Sequence, residues 1–81
     1  MTTNNFNYER LIYLNQKINN NTASKAEKDE YMRALFENGN LTKEQYDKYM
    51  SDAATQEEIV KAALTIGGII LVAYLLERLL K

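Results

Sequence analysis

The chain has 81 residues, enough for one small domain or for a small domain with an anchor. It contains neither cysteine nor histidine, which excludes disulfides, thiolate metal sites and histidine-based catalytic pairs. We therefore expect no enzyme activity, no cofactor and no metal. Residues 1–58 carry seven positive and ten negative charges, and this acidic balance argues against a nucleic-acid partner.

The first predicted helix covers about residues 6–18. Asn5 or Asn7 can cap it, and a run of asparagines after residue 18 ends it, because Asn favours turns. The N-terminal residues show no apolar segment after a positive one, so we expect no secretory signal and a head in the cytoplasm. One side of the helix forms an apolar stripe of Tyr8, Leu11, Ile12 and Ile18.

The second predicted helix covers about residues 24–38 and begins with a capping box. Ser24 and Glu27 have the spacing at which the two side chains cap each other's backbone N–H groups. An apolar face opposite a charged one is typical of a helix that packs on one side and faces water on the other. Gly39 follows at the position where a helix ends in the left-handed conformation.

The third predicted helix covers about residues 43–51. A second capping box, Thr42 with Gln45, precedes its apolar residues. Tyr46, Tyr49 and Met50 are its predicted inner residues. The turn at Gly39 thus lies between two short helices that can pack as a hairpin.

The pattern of this helical hairpin is set by Leu35, Gly39, Leu41, Thr42, Glu44 and Tyr46. In these residues it resembles the hairpin of the bacterial short C-terminal domain (SHOCT) family and is similar to one in small XkdX-type phage proteins. The resemblance covers about residues 33–50 and implies a small packing or oligomerisation module, often in membrane-associated bacterial proteins, without enzyme chemistry. In the first family the hairpin usually ends the chain, whereas here a hydrophobic helix follows it.

A long hydrophobic helix is predicted over about residues 55–80. A third box, Thr55 with Glu58, indicates where it begins. We therefore predict an all-α protein in two parts. A head of three short helices (residues 1–54) precedes a hydrophobic C-terminal helix (residues 55–81) that serves as a membrane span or an oligomer core.

The uncharged run from Ala62 to Leu76 determines whether this last helix can span a membrane. Its 15 residues form about 22 Å of helix, whereas a span usually needs about 20 residues. The wider segment Ile59–Leu80 reaches that length if Lys61 and Arg78 extend their charges to the headgroups. Its twelve Leu, Ile and Val residues contribute about −5 kcal/mol to the free energy of membrane insertion, so insertion is allowed, though not required.

The middle of this helix is apolar on all sides, and such a helix must be buried or lie in lipid. Ala63 and Gly67 form a small-xxx-small pattern, which allows close approach of two helices in a membrane; a flexible joint is the alternative reading of the two adjacent glycines. A seam with alternating spacings of three and four suits a neighbouring helix: Ile59, Ala62, Ile66, Ile69, Ala73, Leu76 and Leu80. The predicted helix–helix contact residues are Ala63, Ile66, Gly67, Gly68, Ile69, Ala73 and Leu76.

Cations and tyrosines at the two ends of the run are the predicted membrane-interface residues, because such side chains gather at the headgroup level. They are Lys61, Tyr74, Arg78 and Lys81. The predicted partners are a lipid membrane, further copies of the chain, or both. A protein partner on the head is a further expectation.

Two main hypotheses about function follow. In the first, the chain is a bacterial or phage membrane protein with a cytoplasmic head and one C-terminal span, acting as an anchor, an adaptor or a holin-like factor. In the second, it is a cytoplasmic or virion-associated homo-oligomer whose C-terminal helices form a shared core. A secreted bacteriocin-like peptide is a third, less favoured alternative.

Overall fold

The computed structural model describes residues 7–79, which form four α-helices and one 3-10 turn. The predicted all-α architecture with a long C-terminal helix is confirmed, and the three shorter helices lie close to their predicted ranges. The predicted start near residue 6 and end near residue 80 lie outside the described residues. The elements are α1 Tyr8–Asn19, α2 Lys25–Glu37, α3 Lys43–Ser51, the 3-10 turn Ala53–Thr55 and α4 Gln56–Leu79.

Capping side chains fix the starts of the first three helices. The side-chain oxygen of Asn7 accepts a hydrogen bond of 3.0 Å from a backbone N–H in the first turn of α1. Both predicted boxes are formed, Ser24 with Glu27 at 2.9 and 3.1 Å and Thr42 with Gln45 at 2.9 and 3.0 Å. These hydrogen bonds pair backbone N–H groups that have no partner within the helix. They therefore determine where each helix starts.

Two residues with positive φ end α1 and α2. They are Asn21, with φ of 58°, and Gly39, with φ of 84°. The residue that follows each one, Thr22 or Asn40, donates its N–H to a carbonyl five residues earlier, at 2.9 and 2.8 Å. The chain reverses at both points, so that α2 packs on α1 and α3 packs on α2.

The start of α4 differs from the prediction. The Thr55 hydroxyl donates to the Asp52 carbonyl at 3.4 Å, and the Asp52 carboxylate accepts a backbone N–H of the 3-10 turn at 3.0 Å. Within residues 7–79, Thr55 and Glu58 therefore do not form the predicted box, because Asp52 caps the chain three residues earlier. The Gln56 amide donates to the Tyr49 carbonyl at 2.8 Å, which joins the start of α4 to α3.

The core forms where α4 meets the other helices, and α1 runs antiparallel to α4. At one end the rings of Tyr8 and Tyr74 are stacked with centroids 4.3 Å apart, and at the other Ile18 and Val60 border the same cavity. The buried apolar residues of all four helices and the α2–α3 turn form one cluster: Leu11, Leu14, Ile18, Tyr31, Met32, Leu35, Leu41, Tyr49, Val60, Ala63 and Leu71.

Tyr31 of α2 is fully buried against α4 at Gly67. Its hydroxyl accepts a hydrogen bond from the Asn15 amide at 2.9 Å and donates one to the Ala63 carbonyl at 3.5 Å. A Cβ atom at Gly67 would overlap the Tyr31 hydroxyl, whereas a Cβ atom at Gly68 would meet no atom within 4 Å. The packing of α2 on α4 therefore requires glycine at the first position only.

The two adjacent glycines give a matched pair of variants. Gly67→Ala should lower the free energy of unfolding by about 1–3 kcal/mol, since the added methyl group displaces Tyr31. Gly68→Ala adds the same group to open space and should leave stability unchanged or raise it by up to about 1 kcal/mol through helix propensity. Urea unfolding followed by circular dichroism measures both values, and equal stabilities would contradict this packing of Tyr31 on Gly67.

Candidate functional site

One side of α4 is left uncovered by α1, α2 and α3, and we call this side the open face. Its large aliphatic side chains are 42% to 81% exposed. Together they form one contiguous apolar patch, and exposed apolar patches of more than a few hundred Å² mark contact with lipid or protein. The open face consists of Ile69, Val72, Leu75, Leu76 and Leu79.

The length of α4 matches a bilayer. Its 24 residues extend over about 36 Å, against roughly 30 Å for a hydrocarbon core. Among residues 7–79, the helical segment Ala53–Leu79 is the one that is long and apolar enough to cross a membrane. Only 22% of its most apolar window is buried, whereas the core helix of a soluble protein is mostly buried.

The predicted helix-contact residues are divided between the two sides of α4. Ala63 and Gly67 are buried beneath α2, so within this chain their small size makes room for Tyr31. Their contact with a second copy stays a prediction. The remaining residues lie at the edge or in solvent: Ile66 and Gly68 are partly buried, and Ile69, Ala73 and Leu76 are exposed.

The predicted interface residues have different surroundings. Lys61 is exposed just before the uncharged run. Tyr74 is stacked on Tyr8 within the chain, and the guanidinium carbon of Arg78 lies 5.6 Å from the centroid of the Tyr74 ring. Lys81 lies outside the described residues. Whether these side chains contact headgroups stays a prediction.

The predicted hairpin residues lie where α2 turns into α3. Leu35 and Leu41 are buried on either side of Gly39. Tyr46 is partly buried, and its ring stacks on that of Phe36 with centroids 4.6 Å apart. With the cap formed by the threonine at the start of α3, these contacts hold α2 and α3 together as a unit.

Charged side chains join α1 to α2 on the surface of the head. The Arg10 guanidinium makes two hydrogen bonds of 2.8 Å to the Glu30 carboxylate, which lower the pKa of that carboxyl group. The Lys17 ammonium lies 3.7 Å from Glu27, whose pKa is lowered mainly by the backbone N–H of Ser24. The surface of α1 and α2 away from the core is therefore charged and hydrated.

A cavity of about 150 Å³ lies where α1 ends and α4 begins. Lys25, Lys28 and Lys61 border it, and Glu57 borders it as well. The Lys25 ammonium is also 3.1 Å from the Asp29 carboxylate, which neutralises part of the positive charge. The mixed charge of this lining favours no single class of ligand.

Sequence reasoning missed three residues of the open face, Val72, Leu75 and Leu79. The predicted seam is rotated about the helix relative to the face that the head leaves exposed. The sequence also contains a second row of residues, alternately three and four positions apart, that could have indicated the exposed face. That row is Ala62, Thr65, Ile69, Val72, Leu76 and Leu79, and all six residues are exposed.

The packing of Tyr31 predicts a loss of stability in alkali. Burial disfavours the phenolate and raises the pKa of Tyr31 above its usual value. Because the raised pKa belongs to the folded state, the stabilisation is fully present below the unfolded pKa of about 10 and is lost as the pH rises through the folded pKa.

In Tyr31→Phe the free energy of unfolding should therefore fall less steeply above about pH 10 than in the wild type. Urea unfolding at a series of pH values measures both slopes. The wild type and the variant should have parallel profiles below about pH 9. Identical slopes in alkali would show that Tyr31 is not shielded from solvent.

No protein-family model, no curated protein and no solved structure matches the chain. The resemblance of residues 33–50 to the short C-terminal domain hairpin therefore stays a prediction.

Proposed function

We propose that the protein is a non-enzymatic, membrane-anchored helical protein whose α4 contacts lipid while its head stays in the cytoplasm. The observation that carries this proposal is the open face, whose five large aliphatic side chains are 42% to 81% exposed. Keeping apolar surface in water is unfavourable by roughly 25 cal/mol per Å². Contact with lipid removes that cost.

The distribution of charge along α4 supports a span. The segment Ala62–Leu76 has no charged residue. A span over Ile59–Leu80 places the neighbouring cations within reach of the headgroups, since long side chains extend toward the membrane surface. The charged residues of α4 lie before and after this run: Glu57, Glu58 and Lys61, then Glu77 and Arg78.

An anchor, an adaptor or a holin-like factor of a bacterium or phage fits a small head on a single span. The α2–α3 hairpin, with its resemblance to the short C-terminal domain family, supplies a surface for a protein partner. Self-association through α4 belongs to the same proposal, because membrane helices associate through close packing of small and apolar residues.

Membrane fractionation with two lysine variants tests this function. Ile69→Lys places a charge at the middle of the span, where it costs about 3 kcal/mol, and should move the protein from the membrane pellet to the soluble fraction. Met50→Lys is the matched control, because Met50 is a similarly exposed apolar residue (52%, against 67% for Ile69) but lies on α3.

The wild type and Met50→Lys should stay in the pellet after washes with high salt and alkaline carbonate. A wild-type protein that these washes release is not a membrane-spanning protein.

A soluble or virion-associated homo-oligomer is the second candidate. It is favoured by the exposed row from Ala62 to Leu79, whose spacings of three and four suit a helical seam between copies. In such an oligomer α1 and α2 can stay packed on the opposite side of α4. The shared core would then consist of open faces buried against each other.

The two candidate functions predict different behaviour of the protein in detergent-free buffer. The oligomer predicts a soluble species of defined mass that dissociates when Leu76→Lys places a charge in the seam, while Met50→Lys leaves the mass unchanged. Analytical ultracentrifugation at several concentrations measures the mass. A monomer at all concentrations would eliminate this candidate, and sedimentation with membranes would favour the first.

A further inference from the structure

The segment of α4 that would cross a membrane is the segment on which α1 packs. Tyr8, at the start of α1, stacks on Tyr74 near the end of α4, with ring centroids 4.3 Å apart. Ile18, near the end of α1, borders a cavity together with Val60 near the start of α4. Since the two helices are antiparallel, α1 extends beside nearly all of the uncharged run, residues 62–76.

The polar side of α1 is unsuited to lipid. The helix has 12 residues, about 18 Å, and would lie wholly at the depth of the hydrocarbon core. It carries Glu9, Arg10 and Lys17, and charged groups at that depth are costly. Arg10 is also bonded to Glu30, so α2 and its charges would be drawn in as well.

The covered side of α4, by contrast, suits lipid as well as it suits the head. Its buried residues are Val60, Ala63, Gly67 and Leu71, and lipid tails are as apolar as leucine. The hydrogen bond from the Tyr31 hydroxyl to a carbonyl of α4 is long, at 3.5 Å, and correspondingly weak. Polar bonding therefore contributes little to the packing of α2 on this side.

We propose that the described form is a closed state in which α1 and α2 mask one side of α4, and that insertion of α4 into a membrane requires them to leave it. This inference rests on the proposed function. The open face makes the first contact with the bilayer, because it is already exposed. Lipid then competes with α1 and α2 for the covered side, while the turn Ala53–Thr55 keeps the head attached.

A reversible cross-link between α1 and α4 tests the closed state. The natural chain has no cysteine, so Tyr8→Cys/Tyr74→Cys introduces one pair at the point where the two helices meet. The oxidised monomer, separated from any intermolecular dimer, is added to vesicles of phosphatidylcholine and phosphatidylglycerol. Insertion is measured as protein that stays with the vesicles after a neutral urea wash, because alkali would itself weaken the packing of Tyr31 on α4.

We expect oxidation of the double variant to reduce the inserted fraction by roughly tenfold or more, and reduction to restore it, because the cross-link removes the insertion-competent population. The two single-cysteine variants should insert equally under both conditions. If the oxidised double variant inserts as well as its reduced form, α1 need not leave and the inference is overturned. If the wild type itself does not insert, the proposed function fails instead.

Gly67→Ala and Gly68→Ala test the same inference without a cross-link. The first variant displaces Tyr31 and weakens the closed state, so it should insert several-fold faster than the wild type into the same vesicles. The second adds a methyl group away from the head and should insert at the wild-type rate. Equal rates for the two variants would overturn the inference even if the cysteine pair fails to form its bond.

Discussion

Three short helices have too little apolar surface to surround a 24-residue helix that is apolar on all sides of its middle, and this shortage determines the rest of the structure. The head buries one side of α4 through a single core cluster. Ile69 and Leu79, on the other side, remain 67% and 81% exposed. Because residues 7–79 leave this side of α4 exposed, both proposed functions assign it a further apolar environment, and they differ only in what supplies that environment.

The small residues of α4 show how one local feature serves two environments. In a membrane, Ala63 and Gly67 would let another helix approach closely. In the closed state they let Tyr31 approach, and its hydroxyl finds polar partners in Asn15 and a backbone carbonyl. The bulky ring occupies the position at which a second span would pack. Under the proposed release of α1 and α2, that position becomes available, so self-association through these residues is coupled to insertion.

Much of the fold could be predicted from the sequence because local chemistry determines it. Ser24, Thr42 and Gly39 act through bonds and dihedral angles within a few residues, and the structure confirms all three roles. The predicted box at Thr55 was wrong because Asp52, a competing cap three residues earlier, lay within the same polar linker.

The orientation of α4 could not be predicted in this way. A helix that is apolar all round does not indicate which side faces the head, since its sides differ too little in hydrophobicity. The residues of the other helices that contact α4 determine which side faces the head. Two of them, Tyr8 and Tyr31, are distant in sequence from the α4 residues they contact. The predicted contact residues were therefore a mixture of covered and open positions.

The balance between the two states depends on the head more than on α4. When the head leaves, α4 exchanges one apolar neighbour for another, whereas the cluster in which Leu11 and Leu14 of α1 are buried loses its α4 residues. The hairpin loses the contact of Tyr31 with Gly67, while α2 and α3 keep the stacking of Phe36 on Tyr46 and the capped turn between them. Part of the free energy that opposes insertion therefore resides in α1, and a change on its apolar stripe should shift the equilibrium without altering α4.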